Sequence, residues 1–218
     1  MVPVPTALSI SEIFLSLQGE STRVGQPCSF VRLAGCDVGC RWCDTAYARQ
    51  GGQAMDLAQV LARVKELACP LVEVTGGEPL AQAGAIGLLT ALCDAGYQVL
   101  LETSGTVDIA AVDPRVVRIV DVKCPSSGAT ERMRWENLPL LRPTDEVKLV
   151  LADRADYDFA KDVLARYDLP RRCTVLLGAV ADRLPLADLA AWMLADHLPA
   201  RLNVQLHKII WPAEERGR

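Results

Sequence analysis

Short apolar runs rich in β-branched residues alternate along the chain with stretches whose apolar residues recur at helical spacing. The apolar runs predict strands at 29–34, 71–75, 99–102, 116–122, 146–151, 174–177 and 202–206, with an extra N-terminal strand at 12–17. The helical spacing predicts four helices, within 57–67, 86–92, 160–164 and 186–193. Such alternation is typical of strand-helix-strand units that build a mostly parallel sheet.

The length of the chain limits how far such a sheet can close. A complete eight-unit barrel usually needs about 250 residues, and this chain has 218, with room only for a short helix in 104–115. We therefore expect an α/β fold in the form of a partial, incomplete TIM-like β/α barrel of roughly six units. A doubly wound sheet is the alternative. No linker or tandem repeat interrupts the pattern, so residues 1–218 are expected to form a single domain.

Composition narrows the class of protein further. Half of the residues are apolar, and the eight cysteines are too few for a disulfide scaffold, which favours a globular protein of a reducing, cytoplasmic compartment. The N-terminus lacks the pattern of a signal peptide, and no apolar run approaches the roughly 20 residues that cross a bilayer. A net charge of −4 with scattered Lys and Arg argues against nucleic acid as a partner and leaves no sign of a membrane surface.

Reactive or permissive residues follow four of the predicted strands. The first strand leads into "CDVGCRWCDT" (36–45), the second into "TGGEP" (75–79), the third into "ETSG" (102–105) and the fourth into "DVK" (121–123). In parallel α/β folds the loops at the carboxyl edge of the sheet build the active site. We expect these four loops to converge on one site.

Three closely spaced thiols, Cys36, Cys40 and Cys43, offer one ligand fewer than a closed metal centre needs. A structural zinc would need a fourth Cys or His from a second knuckle, but the other five cysteines stand alone and both histidines lie far down the chain. A four-iron cluster takes thiolates, and three of them leave one iron open to a small molecule. Incidental thiols or a structural metal knuckle are the plainer alternative.

The spacing Cys-x3-Cys-x2-Cys, with Trp42 before the last cysteine, resembles that of the radical S-adenosylmethionine (SAM) superfamily. The resemblance implies that the amine and carboxylate of SAM fill the vacant iron, and that the reduced cluster splits SAM to start radical chemistry. "TGGEP" stands where the superfamily places its SAM-binding glycines, although a Gly-Gly pair after a strand is often only a turn. The residues expected to bind SAM are Gly76, Gly77, Glu78, Glu102, Ser104, Asp121 and Lys123.

Further motifs extend the resemblance across almost the whole chain. "EIFLSLQGE" (12–20), "FVRLAGC" (30–36), "CDT" (43–45) and "QLHKIIW" (205–211) resemble the 7-carboxy-7-deazaguanine synthase family. Membership implies a radical ring contraction of 6-carboxy-5,6,7,8-tetrahydropterin with loss of ammonia, in queuosine and 7-deazapurine biosynthesis for tRNA modification. It also implies a 4Fe-4S cluster, SAM that is regenerated, Mg²⁺, a flavodoxin or ferredoxin type of electron donor, and a homodimer.

The resemblance assigns the substrate contacts to an N-terminal segment at about 11–20 and to three further positions. It also assigns a metal ligand. The expected substrate-binding residues are Leu17, Gln18, Gly19, Glu20, Arg32, Thr75 and His207, and Thr45 is the expected Mg²⁺ ligand. The guanidinium of Arg32 inside an apolar strand suits a substrate carboxylate, and Gln18 with Glu20 suits the polar edge of a pterin.

Each of these assignments has a structural alternative. Arg32 could pair with a neighbouring carboxylate, Gln18 and Glu20 could lie in a solvent-facing turn, and Thr45 could cap a helix. His207, expected on a strand with Gln205, could be a core histidine, and Lys148 a surface lysine whose stem covers apolar residues.

Three positions depart from the family pattern. Ser21 replaces a common glycine, so we expect the loop after Glu20 to take a different backbone course. "DVK" replaces Ser-Pro-Lys, which puts the SAM contact of Asp121 in doubt, and the tail past Trp211 leaves open any contact by the carboxylate of Arg218. Two rival functions are a small radical SAM enzyme that acts on a protein, such as a glycyl-radical activating enzyme, and a non-catalytic metal-binding module.

Overall fold

A computed structural model of the chain describes residues 7–211, 216 and 217. The strands of this part are β1 Ala7–Leu17, β2 Pro27–Leu33, β3 Gln53–Asp56, β4 Leu71–Gly76, β5 Gln98–Thr103, β6 Val117–Val122, β7 Glu146–Leu151, β8 Thr174–Ala179 and β9 Arg201–Leu202. They form one sheet with the order β3-β1-β2-β4-β5-β6-β7-β8-β9.

The four predicted helices are confirmed, and two short ones are added. Their bounds are α1 Leu57–Glu66, α2 Ala85–Asp94, α3 Arg154–Arg166, α4 Leu169–Arg172, α5 Leu186–Ala195 and α6 Leu206–Ile210. Helix α1 begins at a capping box, in which the Asp56 carboxylate accepts from the Gln59 N–H at 2.8 Å and the Gln59 side chain accepts from the Asp56 N–H at 2.9 Å. Residues 104–115 form turns and bends, so the short helix expected there is absent.

The strand pairing supports the partial barrel. From β2 through β9 each neighbouring pair in the sheet is parallel, whereas β1 is antiparallel to both β2 and β3. The parallel strands follow one another in chain order, without the reversal of direction that defines a doubly wound sheet. The sheet is open, because β3 and β9 are its edges. The expected incomplete barrel is therefore confirmed.

The two faces of the sheet carry different residues, as β4 illustrates. Val72 and Val74 are fully buried on the side covered by helices, together with Leu88 and Leu89 of α2. Burying such a side chain contributes about 1.5 to 3 kcal/mol. Because side chains alternate along a strand, Glu73 and Thr75 point to the opposite, concave face. A small apolar cluster lies on that face below them, formed by Cys28, Phe30, Cys69, Leu71, Leu100 and Ile119.

Two elements differ from the sequence prediction. The strand expected at 202–206 is wrong: β9 has only two residues, and α6 begins at Leu206. Strand β3, whose side chains are mostly exposed, was not predicted because an exposed edge strand needs no apolar alternation. Within the described residues, no helix has the length and apolar character needed to span a membrane.

Candidate active site

A cavity of about 860 Å³ lies inside the curved sheet. The loop after β2 and the turns after β4, β5 and β6 bound its mouth, and residues 18–26, here called the hairpin loop, enter it between β1 and β2. All but one of the predicted site residues line this cavity: Leu17, Gln18, Gly19, Glu20, Arg32, Cys36, Cys40, Cys43, Thr45, Thr75, Gly76, Gly77, Glu102, Ser104, Asp121, Lys123 and His207.

The three thiols Cys36, Cys40 and Cys43 lie on one stretch of the cavity wall, half-buried and free of disulfides. Burial raises the pKa of Cys40, and so do the neighbouring thiols, while Lys123 opposes them. Within the described residues the side chains do not converge into a preformed metal site. The thiols nevertheless suit an iron-sulfur cluster, because they are soft ligands on an irregular loop that faces the cavity.

Gly76 and Gly77 allow a close approach, but of protein backbone and not of a ligand. Gly76 has φ of 141°, and a Cβ there would collide with the backbone of Leu33, while one at Gly77 would collide with Gly35. The Gly77 N–H donates to the Leu33 carbonyl at 3.0 Å, and the Glu78 N–H to the Gly35 carbonyl at 2.9 Å. The glycines therefore hold the turn after β4 against the start of the cysteine loop.

Glu78 is the predicted site residue that does not line the cavity. It is fully buried, and its carboxylate accepts from Leu80 N–H at 2.9 Å, Thr103 Oγ1 at 2.8 Å and Ser104 N–H at 2.7 Å. These bonds join the turns after β4 and β5. The predicted role of Glu78 in binding SAM gains no support from this geometry, since its carboxylate already accepts hydrogen bonds from within the protein.

Asp121 and Lys123 form an ion pair at 2.7 Å beside the thiols. Burial opposes the charge of Lys123, but Asp121 and Cys40 raise its pKa above the ordinary value. Ser104, nearby on the wall, donates its hydroxyl to Glu78 at 2.5 Å. The mouth thus offers paired charges and hydroxyls to a ligand.

Lys148 is buried in the cavity wall, so its interpretation as a surface lysine is wrong. Its Nζ lies 3.0 Å from the Glu20 carboxylate and is also paired with Glu102, whose other oxygen is 3.4 Å from the Thr75 hydroxyl. Burial opposes the charge of Lys148, but the two carboxylates raise its pKa well above the ordinary value. Burial likewise disfavours ionised Glu20, yet Lys148 and Gln205 lower its pKa to about 2. We name Glu20, Glu73, Glu102 and Lys148 the carboxylate cluster.

The hairpin loop enters the cavity from its inner side. Because β1 is antiparallel to β2, its last residue Leu17 pairs with the first residue of β2, far from the mouth. The Thr22 N–H donates at 3.2 Å to Glu146, the first residue of β7. Gln205 Nε2 nevertheless donates to Glu20 at 2.8 Å and to Asp44 of the cysteine loop at 3.3 Å, so Glu20 also approaches the mouth. The loop is not a solvent-facing turn, because Gln18 is only 4% exposed.

Ser21 adopts a backbone conformation that glycine favours. Its φ of 67° lies in the left-handed region, its N–H donates to Asn203 Oδ1 at 3.2 Å, and its hydroxyl accepts from the Arg23 N–H at 3.0 Å. The different backbone course expected from the serine gains no support from this conformation, which the two hydrogen bonds stabilise.

Arg32 forms an ion pair with a neighbouring carboxylate, as its structural alternative predicted, and it also lines the cavity. Its Nε donates to Glu12 at 2.7 Å, and the Tyr47 hydroxyl donates to the same oxygen at 2.7 Å. The tail returns to this corner: the Arg216 guanidinium lies 4.6 Å from the Tyr47 ring centroid, and the Gly217 N–H donates to Glu12 at 3.2 Å. Arg218, whose carboxylate was left open as a substrate contact, lies outside the described residues.

His207 belongs to α6, so its predicted strand position is wrong. Its imidazole packs directly on Gly19, where a Cβ would collide with it, and the Leu206 N–H donates to the Gly19 carbonyl at 2.8 Å. Burial lowers the pKa of His207, while Glu20 and Asp44 oppose that shift. Gly19 thus lets α6 close against the hairpin loop.

Thr45 precedes a short 3-10 helix, Ala46–Arg49, without capping it. Its carbonyl accepts from the Ala48 N–H at 2.9 Å, but its hydroxyl makes no cap hydrogen bond and lies 3.8 Å from the Cys43 sulfur. The helix-cap alternative is therefore not supported, and the hydroxyl is available to a hard metal ion.

Sequence reasoning missed Glu73 and Lys148. Both lie in the middle of apolar strands without a motif, and the only local signal is a charged residue inside a run such as "LVEV" or "EVKLVL". Charged side chains are almost never fully buried unless they are paired. The partners of these two come from positions 46 to 128 residues away and could not be read locally.

Comparison with known proteins agrees with this geometry. The model of the radical SAM superfamily matches residues 31–121. The chain is 50% identical to the 7-carboxy-7-deazaguanine synthase of Chlorobaculum tepidum over 96% of this chain and 97% of that protein. It is 43% identical to the synthase of Koribacter versatilis over 96% of this chain and all of that protein.

A solved structure shares the fold. The crystal structure of QueE from Escherichia coli superposes with a TM-score of 0.77 at 24% identity, covering 92% of this chain and 95% of that one. Identity over nearly the full length to several synthases, together with a cavity lined by three free thiols, favours neither a non-catalytic metal-binding module nor an activating enzyme. The chain is a radical SAM enzyme and belongs to the 7-carboxy-7-deazaguanine synthase family.

Proposed function

We propose that this enzyme converts 6-carboxy-5,6,7,8-tetrahydropterin into 7-carboxy-7-deazaguanine with release of ammonia, as a lyase of 7-deazapurine and queuosine biosynthesis. The observation that carries the proposal is one cavity with thiols for a cluster at its mouth and a cation, Arg32, beside the carboxylate cluster farther in. The full-length identity to synthases of this name supports it.

The thiols of Cys36, Cys40 and Cys43 would hold a 4Fe-4S cluster with one open iron. The bound cluster and SAM supply the one-electron chemistry that starts the reaction. The protein positions the methionine half of SAM with the turn at Gly76 and Gly77 and its remaining polar groups with Glu102, Ser104, Asp121 and Lys123. Glu78 acts beneath these residues by holding two of the turns together.

The substrate would lie between Arg32 and the hairpin loop. Glu12 occupies Nε of Arg32, which leaves the terminal nitrogens of the guanidinium for the substrate carboxylate. Glu20 accepts from Asn203 at 2.9 Å and Gln205 at 2.8 Å, so its carboxylate is oriented before a ligand arrives. Together with Leu17, Gln18, Gly19, Thr75 and His207, it would bind the ring.

Thr45 would ligate Mg²⁺ beside that carboxylate, because its hydroxyl makes no cap hydrogen bond. We also infer a cytoplasmic enzyme, a flavodoxin or ferredoxin type of electron donor and a homodimer, all from the family resemblance. Its product would serve tRNA modification, and residues 1–218 would act as one catalytic unit with an N-terminal substrate-binding segment and a C-terminal tail.

Anaerobic product analysis tests the proposal. Cluster-loaded enzyme with SAM, Mg²⁺, a chemical reductant and the carboxypterin should form 7-carboxy-7-deazaguanine and equimolar ammonia, identified by mass spectrometry. The Cys40→Ala variant should form neither. Cleavage of SAM with complete recovery of the carboxypterin would contradict the proposed substrate while leaving the radical SAM assignment intact.

A further inference from the structure

Glu73 is a buried acid that no recognised motif contains. It is the third residue of β4, shares the concave face with Thr75 and is only 3% exposed. Leu71, one position further along that face, belongs to the apolar cluster that fills the barrel below the cavity. Glu73 therefore stands between an apolar layer and the inner end of the cavity, and forms part of the cavity wall.

One oxygen of Glu73 is occupied and the other is open. Gln18 Nε2 donates to Oε2 of Glu73, and Gln18 Oε1 accepts from the Glu20 N–H at 3.2 Å, so both ends of the amide are fixed. Within the described residues, Oε1 of Glu73 has no hydrogen-bond partner, and it is not among the fully enclosed atoms without one. That oxygen is left to the cavity.

The charges around Glu73 leave it without a cation. Lys148 divides its ammonium between Glu20 and Glu102, and in the described part of the chain no cation lies within ion-pair distance of Glu73. Three carboxyl groups thus surround one ammonium, and Glu73, the most buried of them, does not pair with it. An ionised carboxylate that is buried without a partner is so costly that the group binds a proton instead.

The groups that face Glu73 favour the same state. Glu102 on β5 and Glu20 in the hairpin loop repel a negative charge there, Lys148 on β7 attracts one, and the Cys28 thiol on β2 is buried beside it. Burial and the Glu102 carboxylate raise the pKa of Glu73 well above its ordinary value, against the effect of Lys148 and Gln18.

We propose that Glu73 is a neutral carboxylic acid whose Oε1–H donates a hydrogen bond to a ring carbonyl or unprotonated ring nitrogen of the substrate. It thereby determines specificity at the inner end of the cavity. The proposal rests on the proposed function, because the ligand it reads is the heterocycle of that reaction. The carboxylate of Glu20 is an acceptor for N–H groups of the ring. Glu73 adds the donor that a neighbouring carbonyl requires.

Two substitutions test this role. Glu73→Leu removes the donor at similar volume, and we expect it to weaken carboxypterin binding to the cluster-loaded enzyme about tenfold, the loss of one hydrogen bond. Glu73→Gln stays neutral, can donate an N–H and can still accept from Gln18, so affinity should stay within about threefold. SAM affinity should be unchanged in both. Titration calorimetry measures all four constants.

A spectroscopic readout separates the proposal from a merely structural role. Difference infrared spectra should show the carbonyl stretch of a protonated carboxyl group in the wild-type protein, lost in both Glu73 variants. Glu146→Gln is the matched control: Glu146 is also buried and accepts from the hairpin loop, but it does not line the cavity, so carboxypterin affinity should not change.

The outcomes are distinct. If Glu73→Leu does not fold, wild-type carboxypterin affinity should still fall as the pH rises through the pKa of Glu73, and that of Glu73→Gln should not. An absent carboxyl band, an unchanged affinity in Glu73→Leu, or an equal loss of SAM affinity would overturn the proposal. A wild-type enzyme that neither binds nor converts carboxypterin would instead overturn the proposed function, and the role of Glu73 with it.

Discussion

The cysteine loop at the mouth and the carboxylate cluster at the inner end line the same cavity but are held by different means. Residues 36–45 lie on irregular backbone with half-buried thiols, and their chemistry depends on spacing within one short segment. The carboxylate cluster draws on β4, β5, β7 and the hairpin loop; Lys148 holds Glu20 and Glu102, and Gln18 holds Glu73. A site that reads a ring binds it better when its side chains are already oriented before the ring arrives.

The largest expected effect comes from removing one of the three thiols of the cysteine loop. Replacing Cys36, Cys40 or Cys43 with Ala should abolish SAM cleavage, because two thiolates do not retain a four-iron cluster with one defined open iron. Iron content, visible absorbance and 5′-deoxyadenosine formation measure the loss.

Cys93→Ala, on the distant helix α2, is the control and should keep both cluster and activity. If Cys28→Ala or Cys124→Ala removed the cluster while Cys36→Ala kept it, the assignment of the three ligands would be wrong.

The same contrast explains how much of the molecule the sequence predicts. Strands β4 to β8 lie within two residues of their predicted bounds because their runs of Val, Ile and Leu need burial on both faces. The motif-bearing loops lie where parallel topology puts them. The 202–206 strand failed because Asn203 and Gln205 instead bond to the hairpin loop, at separations of more than 180 residues. Tertiary contacts of this length leave no local pattern, which is also why Glu73 and the burial of Lys148 were missed.

The second largest effect is expected from removing the cation of the carboxylate cluster. Lys148→Met should destabilise the fold by about 3 to 5 kcal/mol, because it leaves Glu20 and Glu102 as partly buried carboxylates without their buried cation. Urea denaturation measures the change in the free energy of unfolding. Adding Glu20→Gln and Glu102→Gln should recover most of it.

Lys208→Met is the control, since Lys208 is exposed and so are its contacts, with Asp44 at 3.4 Å and with Gln205 at 2.6 Å; we expect a change below about 0.5 kcal/mol. The pH dependence gives an independent check. The folded pKa of Glu20, about 2, lies below its ordinary 4.5, so its pairing stabilises the protein above pH 4.5 and that stability is lost as the pH falls toward 2. An unfolding midpoint of Lys148→Met equal to that of the wild type would contradict the structural role of the pair.

A smaller effect is expected from removing the proposed Mg²⁺ ligand, the hydroxyl of Thr45. Thr45→Ala should lower kcat/KM about tenfold at saturating Mg²⁺ and remove its stimulation by Mg²⁺, because one hard oxygen ligand is lost. Thr45→Ser keeps the hydroxyl and should retain the stimulation. Thermal denaturation should be nearly unchanged in both, since the Thr45 hydroxyl makes no cap bond. Unchanged Mg²⁺ dependence in Thr45→Ala would exclude this ligand.

The smallest effect sharpens the comparison, because it tests whether the hairpin loop is already set in its binding conformation. Ser21 has φ of 67°, so Ser21→Gly relieves roughly 1 kcal/mol of left-handed strain. It also removes the hydrogen bond that the serine hydroxyl accepts from the Arg23 N–H, worth about 1 kcal/mol. The free energy of unfolding should therefore change by less than about 1 kcal/mol, and carboxypterin affinity by less than about twofold.

Ser21→Val places a β-branched side chain at positive φ and should destabilise the loop by about 1 to 3 kcal/mol, with weaker carboxypterin binding. Urea denaturation and calorimetric titration of both variants distinguish a loop that is already glycine-like from one that the serine redirects, and a large gain of affinity in Ser21→Gly would show the second.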